Sequence, residues 1–390
     1  MISIKKLIEL LIVSTKLGLT SFGGPIAHLG YFHEEYVRKR KWIDERSYAD
    51  LVAISQFLPG PASSQVGIGI GVLQGGILGG IISFIGFTIP SILILMLFAL
   101  LFNHLEFETA GWLHGLKIVA IAVVASAILG MAQKLTPDLK RKSIALFALA
   151  TTLLWQTAYT QVLVIIIAAL IGFLIFTKQT DITVASSSRF PISKKTALIC
   201  IGLFVGLLLL LPLAAKLTES KWIAMFDHFY RSGSLVFGGG HVVLPLLQNE
   251  FVLTGMISEE TFLAGYSAAQ AVPGPLFTFA SYLGTAIYGW QGGLLATLAI
   301  FLPAFLLIIG FLPFWHQLRT NNHINGALMG VNAAVVGILI SAFYQPIWTS
   351  TIYTPIDFVF SAILFSMLTY WKLPPWIIVL TGAIGGAILL

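Results

Sequence analysis

The sequence FGGPIAHLGYFHEEYV at residues 22–37 returns in altered form as FGGGHVVLPLLQNEFV at residues 237–252. Two further pairs follow in the same order: QFLPGP at 56–61 with QAVPGP at 270–275, and GGIISFIGFTIPS at 79–91 with GGLLATLAIFLPA at 292–304. The distance between partners changes only from 215 to 213 residues along this run, so the chain contains an internal duplication. Both copies are apolar and are interrupted by Gly and Pro at matching positions, which is typical of transporters whose site lies where broken helices meet.

The composition predicts that this duplicated unit lies in a lipid bilayer. Of the 390 residues, 57% are hydrophobic and only 10% are charged, whereas soluble domains carry about 25% charged residues. The net charge of +6 is concentrated in a few loops, which is typical of membrane topology, so we expect no nucleic acid as a partner. The single cysteine, Cys200, lies in an apolar run without a metal-binding motif, and we therefore expect no metal and no cofactor.

Apolar stretches of two lengths predict two kinds of helix. Stretches of roughly 20 residues or more can span a bilayer, and these are 76–102, 113–133 and 196–215. Shorter stretches predict tight pairs of short helices, and these are 142–155 with 160–176, and 355–370 with 374–390. The polar, Ser-rich segment 177–195 separates the two copies and is the only predicted linker.

Loop charges predict the orientation of the two copies. The loop at 38–46 holds five basic residues and its partner at 253–261 holds none. The loop at 134–142 holds four, and its partner at 344–354 again holds none. Because basic loops stay on the cytoplasmic side, matching loops lie on opposite sides of the membrane and the repeats are inverted.

The predicted fold is therefore an all-α polytopic membrane protein with two inverted repeats, broken or re-entrant helices and one extra linking transmembrane helix. We expect the first repeat at 1–178, the linker and extra helix at 179–215, and the second repeat at 216–390. The predicted location is the cytoplasmic membrane, with the N-terminus inside and the C-terminus outside. Loop charge and length also predict that segment 47–72 enters the membrane, breaks and returns to the side it left.

The two Pro-Gly-Pro motifs predict helix breaks with bare helix starts behind them, because proline cannot continue a helix but suits its first position. The free N–H groups of a helix start, together with nearby hydroxyls, bind anions well. The predicted breaks are Pro59, Gly60, Pro273, Gly274 and Pro275, with Pro25 at the glycine turn. The predicted anion cradle is Gly23, Gly24, Pro61, Ser63, Ser64, Gln65, Gly238, Gly239, Gly240 and Thr278. One such motif alone would indicate a simple kink, whereas two matched pairs favour a binding site.

Two cations occupy matching positions in the helices that precede the glycine turns. Lys16 lies seven residues before Gly23, and Arg231 lies seven residues before Gly238. Charge within a membrane helix is expensive and usually faces a cavity or a partner, and a pair of cations suits a doubly charged anion. The alternative is that both long side chains reach the membrane surface without binding substrate.

Several titratable residues are candidates for proton coupling or gating. Glu35 and Glu250 are repeat partners at the ends of the glycine-initiated segments, and His28 and His241 lie close behind the glycine turns. Histidine titrates near neutral pH, which suits a proton carrier. The sequence favours the alternative, that these residues make ordinary structural hydrogen bonds or ion pairs.

The motifs SFGGPIAHLGYFHEEYV and QFLPGPASSQVGIGIG, with FGGGHVVLPLLQNEFV and QAVPGPLFTFASYLG, resemble the chromate ion transporter family in its long, two-repeat form. The resemblance implies a transporter, not an enzyme, that exports chromate under a proton or membrane-potential gradient and confers chromate resistance. Sulfate, another tetrahedral dianion, is the competing substrate. After Pro-Gly-Pro the first copy offers Ser-Ser-Gln and the second Leu-Phe-Thr, and from this difference we expect an asymmetric cradle. An uncoupled anion channel stays open as an alternative, as does a homodimer.

Overall fold

A computed structural model describes residues 4–21, 24–102, 111–155, 158–176, 191–237, 242–315 and 321–389. Within these ranges the chain forms helices and no strands. The helices are α1 (Ile4–Thr20), α2 (Gly24–Phe32), α3 (Glu45–Phe57), α4 (Ala62–Phe102), α5 (Gly111–Leu135), α6 (Leu139–Leu154), α7 (Ala158–Ile175), α8 (Lys194–Thr218), α9 (Lys221–Ser234), α10 (Val243–Phe251), α11 (Glu259–Ala271), α12 (Phe279–Phe311), α13 (Asn322–Ala342), α14 (Pro355–Thr369) and α15 (Pro375–Leu389). This confirms the all-α prediction.

Long apolar helices confirm that the protein is polytopic. Five segments of the described chain are long and apolar enough to cross a membrane: Ala62–Leu101, Gly111–Leu135, Lys194–Thr218, Leu276–Phe314 and Asn322–Gln345. Helix α8, the predicted extra span, exposes six of its nine leucines, including Leu209 and Leu217, and buries only Ala197. An apolar helix with so few buried side chains has lipid as its natural surroundings.

The chain divides into two compact units, and each unit takes segments from both sequence repeats. The first unit comprises Met1–Leu97, Thr180–Gly240 and Pro273–Asn321. The second comprises Phe98–Gln179, His241–Val272 and Asn322–Leu390. The repeats are therefore units of sequence, and folding exchanges their parts.

In the first unit, equivalent residues of the two repeats make reciprocal contacts. The Gly60 N–H donates to the Val236 carbonyl over 2.7 Å, and the Gly274 N–H donates to the Ser21 carbonyl over 3.0 Å. Gly60 and Gly274 are repeat partners, as are Ser21 and Val236. Each break is thus held by the chain that precedes the other repeat's glycine turn, a pattern that a pseudo-two-fold axis produces.

Close helix packing follows the same symmetry. A Cβ on Gly18 of α1 would lie 2.5 Å from the Phe87 carbonyl oxygen of α4. A Cβ on the partner residue Gly233 of α9 would lie 2.2 Å from the Ile300 carbonyl oxygen of α12. Only glycine permits backbones to approach this closely, which is how apolar helices gain packing energy in a membrane.

Helices α4 and α12 are both interrupted within their first half. In α4 the helix is interrupted at Gly75 and Gly76, and in α12 at Tyr288 and Gly289. Gly76 (φ 60°) and its partner Gly289 (φ 68°) both occupy the left-handed region, which glycine adopts without strain. The predicted span 76–102 corresponds to the second part of α4, and the first part runs from the Pro-Gly-Pro break to this interruption.

The second unit is a bundle in which the repeats also exchange partners. Helix α5 packs on α14 and α15, while its repeat partner α13 packs on α6 and α7. A Cβ on Gly115 would lie 2.0 Å from the Gly382 carbonyl oxygen, and one on Gly172 would lie 2.3 Å from the Gly326 carbonyl oxygen. The short helices predicted at 142–155, 160–176, 355–370 and 374–390 are confirmed as α6, α7, α14 and α15, in adjacent pairs.

Candidate functional site

The start of α4 is the first half of the candidate site. Gly60 has φ 111°, a value that residues other than glycine rarely adopt. Helix α4 begins at Ala62, directly after Pro61. The first bond of the new helix runs from the Gln65 N–H to the Pro61 carbonyl over 3.0 Å. The N–H groups of the residues between them therefore have no acceptor within the helix. The predicted break and bare helix start are both present.

Buried polar side chains surround this helix start. Ser63, Ser64, Gln65 and His28 are each at most 2% exposed. The His28 Nδ1 atom lies 3.2 Å from the Ser63 hydroxyl, and the Gln65 side-chain amide donates to the Pro59 carbonyl across the break over 2.7 Å. The structure thus brings together five predicted site residues from α2, the break and α4.

Two atoms of this cluster, Ser64 Oγ and Gln65 Oε1, have no hydrogen-bond partner among the residues that the structure describes. The His28 Nε2 atom also lacks a partner in bonding geometry, although the Ser21 backbone lies beside the imidazole. A buried polar atom without a partner costs free energy, so an unpaired group of this kind indicates a ligand or ordered water. If the Ser63 hydroxyl donates to Nδ1, the imidazole proton resides on Nε2, and His28 becomes a neutral donor. Together with the Ser64 hydroxyl and the bare backbone N–H groups, it can donate to an anion without adding fixed charge.

The equivalent helix start in the second repeat carries different side chains. A short 3₁₀ turn, Leu276–Thr278, follows Pro275, and α12 begins behind it. Thr278, the partner of Ser64, donates its hydroxyl to the Pro275 carbonyl over 2.7 Å. Leu276 and Phe277 are buried and apolar. The asymmetry that the sequence implied is therefore present, and the first copy holds the free donors.

Gly274 in the second break has φ 106° and faces Ser91, the first residue after Pro90 of α4. A Cβ on Gly274 would lie 2.8 Å from the Ser91 hydroxyl oxygen. Ser21, whose carbonyl binds Gly274, is fully buried and its own hydroxyl has no partner in the described part of the chain. Sequence reasoning missed Ser21 and Ser91, because the matched residue in the other repeat is apolar in both cases.

The two predicted cations have different surroundings. Lys16 lies on an exposed face of α1. Its carbonyl accepts a hydrogen bond from the Thr20 hydroxyl, one turn further along the helix. Arg231 is half-buried, pairs with the Asp227 carboxylate at 3.0 Å and lies 3.1 Å from the His228 Nδ1 atom. Asp227 has no acidic counterpart in the first repeat, where Ile12 occupies the matching position. Sequence reasoning missed this counter-charge, which a scan of charges within one helical turn would have found.

The predicted coupling residues are spread over both units. Glu35 pairs with Arg40 at 2.8 Å, and Arg40 also binds Glu9 of α1. Glu250 is buried on α10 in the second unit. Pro25 is half-buried at the start of α2, where Gly24 has φ 76°. Five other predicted site residues lie outside the described residues: Gly23, Gly238, Gly239, Gly240 and His241.

Comparison with known proteins agrees with this architecture. The family profile described as Chromate transporter matches residues 8–173 and 223–387. A probable chromate transport protein of Synechococcus elongatus is 27% identical over 387 residues, covering 96% of this chain and 93% of that protein. A chromate transport protein of Pseudomonas aeruginosa is 26% identical over 331 residues, covering 83% and 77%. An uncharacterized transporter of Methanocaldococcus jannaschii is 27% identical over 335 residues, covering 84% and 81%. No solved structure matches the chain significantly.

A duplicated all-α chain with several apolar spans and paired helix breaks is a multi-pass membrane protein of the transporter class. Because the family profile matches both halves of the chain, the protein belongs to the chromate transporter family, in its long two-repeat form.

Proposed function

We propose that this protein exports chromate, a divalent tetrahedral oxyanion, across the cytoplasmic membrane and so confers chromate resistance. The observation that carries the proposal is the set of buried, unpaired donors at the start of α4: the Ser64 hydroxyl and the His28 Nε2 atom. A preformed set of neutral donors satisfies oxyanion oxygens without holding the ion by strong charge. Relatives that carry the chromate name over most of their length support the choice of substrate.

In this proposal Lys16 and Arg231 attract the dianion, and the helix starts behind Pro61 and Pro275 bind its oxygens. Arg231 is the more specialised of the two cations, because Asp227 already balances its charge. A cation with a local counter-charge attracts an anion less strongly than a bare one, which favours release. An exporter needs this modest attraction, since a substrate that is held too tightly does not leave.

The proposed transport cycle is alternating access by two inverted repeats, with the N-terminus inside and the C-terminus outside. Three observations support it: opposite loop charges in the two copies, an extra apolar helix α8 between them, and the reciprocal bonds at Gly60 and Gly274. A two-fold axis in the membrane plane produces all three. We propose that a proton or membrane-potential gradient drives the cycle, with Glu35, Glu250, His28 and His241 as the candidate proton carriers or gates.

Uptake of chromate into inside-out membrane vesicles tests the proposal. We expect Lys16→Ala and Arg231→Ala each to reduce uptake, and Lys142→Ala, which removes an exposed charge outside the site, to leave it unchanged. Unchanged uptake in both site variants would eliminate the paired-cation mechanism. Absence of chromate uptake by the wild-type protein would refute the proposed substrate.

The same vesicles distinguish the alternatives. Parallel assays with sulfate and molybdate measure selectivity among tetrahedral oxyanions, and an imposed pH gradient measures proton coupling. A coupled transporter accumulates chromate against its own gradient, whereas an uncoupled anion channel only dissipates that gradient. Accumulation that is independent of the pH gradient but follows an imposed membrane potential would refute the proposed role of these residues as proton carriers.

A further inference from the structure

A small cavity in the second unit lies where helices α6, α7, α10 and α13 meet. Its polar lining residues are Thr152, Gln161, Gln248, Asn249, Ser341 and Gln345. All of them belong to the second unit, so the cavity is separate from the cluster at the start of α4. None of its lining residues carries a formal charge.

The polar groups of this cavity are buried and incompletely bonded. Gln161 is 5% exposed and Gln248 is 2% exposed. The Gln161 Oε1 atom and the Gln248 Nε2 atom have no hydrogen-bond partner among the residues described. In a membrane protein an unpaired amide in the interior is costly, and two of them lining one cavity indicate that the cavity is built to hold a ligand.

The bonding of Thr152 limits what that ligand can be. Its hydroxyl donates to the Ala148 carbonyl over 2.7 Å, so its oxygen can only accept a hydrogen bond or bind a cation. The free Gln161 oxygen is likewise an electron-pair donor. A half-turn of the Gln248 amide would direct its oxygen inward without any change of shape.

Helix ends give the cavity a negative potential. The lining residues lie in or just beyond the last turns of α6 and α10, which end at Leu154 and Phe251, and beside Gln345, where the π-helical continuation of α13 (Phe343–Trp348) is interrupted. The carbonyl end of a helix carries partial negative charge, and here three such ends outnumber the one positive start, that of α7. This arrangement disfavours an anion and favours a cation.

We propose that this cavity binds a monovalent metal cation of the Na⁺ type through amide, hydroxyl and helix-end carbonyl oxygens. Na⁺ sites in transporters are built from such neutral oxygens at helix ends. A divalent cation would demand carboxylate ligands, and the lining has none. That the ion drives the export of oxyanion is a consequence that rests on the proposed function; the binding itself does not.

Binding of radioactive ²²Na⁺ to the purified full-length protein, without any oxyanion present, tests the site. Choline chloride keeps the ionic strength constant. We expect saturable binding by the wild-type protein and at least tenfold weaker binding by Gln161→Leu. Gln161→Glu adds a negative charge to the cavity and should tighten binding at pH 8, which a merely misfolded variant would not do. Gln74→Leu is the matched control, because Gln74 is an amide of the first unit that bonds the Trp42 carbonyl.

Wild-type protein that shows no saturable ²²Na⁺ binding would overturn the site and leave a cavity that holds only water. Binding that is unaffected by both Gln161 variants, or weakened equally by Gln74→Leu, would also overturn it. Because the assay contains no chromate, these results stand apart from any failure of the transport assay, which bears on the proposed function alone.

Discussion

Removal of the Ser64 hydroxyl separates ligand binding from stability. Ser64 is 2% exposed, and its hydroxyl has no partner among the described residues. Burial of an unsatisfied hydroxyl costs about 1–3 kcal/mol by comparison with protein mutants. We therefore expect Ser64→Ala to leave the free energy of unfolding unchanged or to raise it by about 1 kcal/mol.

The same substitution should weaken oxyanion binding. A hydrogen bond to a charged group contributes about 1.5–3 kcal/mol. Its loss corresponds to a rise of about 10- to 150-fold in the dissociation constant for chromate. Isothermal titration calorimetry of the purified protein measures this constant, and thermal unfolding with and without chromate measures the change in stability.

Two neighbouring hydroxyls provide matched controls. Thr278→Val removes the repeat partner of Ser64, whose hydroxyl is bound to Pro275, so this variant should lose stability but keep its chromate affinity. Ser63→Ala breaks the contact with His28 and should lose both. An unchanged chromate dissociation constant in Ser64→Ala, with a raised constant in Thr278→Val, would refute the assignment of the hydroxyl donor to the first repeat.

Three further substitutions test the fold and the charge balance. Gly60→Ala places a side chain at φ 111° and 3.1 Å from the Ala304 Cβ atom, and strain of this kind costs about 1–3 kcal/mol, so its melting temperature should fall. Gly172→Ala would direct a methyl group to within 2.3 Å of the Gly326 carbonyl oxygen, and overpacking of about 1–3 kcal/mol should destabilise the second unit. Asp227→Asn removes the counter-charge of Arg231, and we expect chromate to bind more tightly and turn over more slowly, with the difference reduced at high salt.

Control substitutions and specific results can contradict each of these three predictions. Gly30→Ala and Gly202→Ala introduce methyl groups into open space, and melting temperatures that fall equally in them would contradict the packing argument. Chromate affinity that is unchanged or lower in Asp227→Asn would show that Arg231 does not attract the substrate.

The sequence alone determined the class of fold and the location of its breaks. Hydrophobic length and low charge require a bilayer and helices, because backbone groups in lipid must bond within their own segment. The two Pro-Gly-Pro motifs end helices by local chemistry, which needs no tertiary information, and the structure interrupts the chain at both. The matched offsets likewise pair Gly60 with Gly274 from the sequence alone.

Tertiary structure decided which groups meet and which of them stay unpaired. The bonds from Gly60 to Val236 and from Gly274 to Ser21 join residues far apart in sequence, and no local pattern specifies them. The same holds for His28 beside Ser63 and for the amides of Gln161 and Gln248 around one cavity. Residue type states what a side chain can donate or accept, but packing determines whether a partner is already present, and only the groups left without one are available to a ligand.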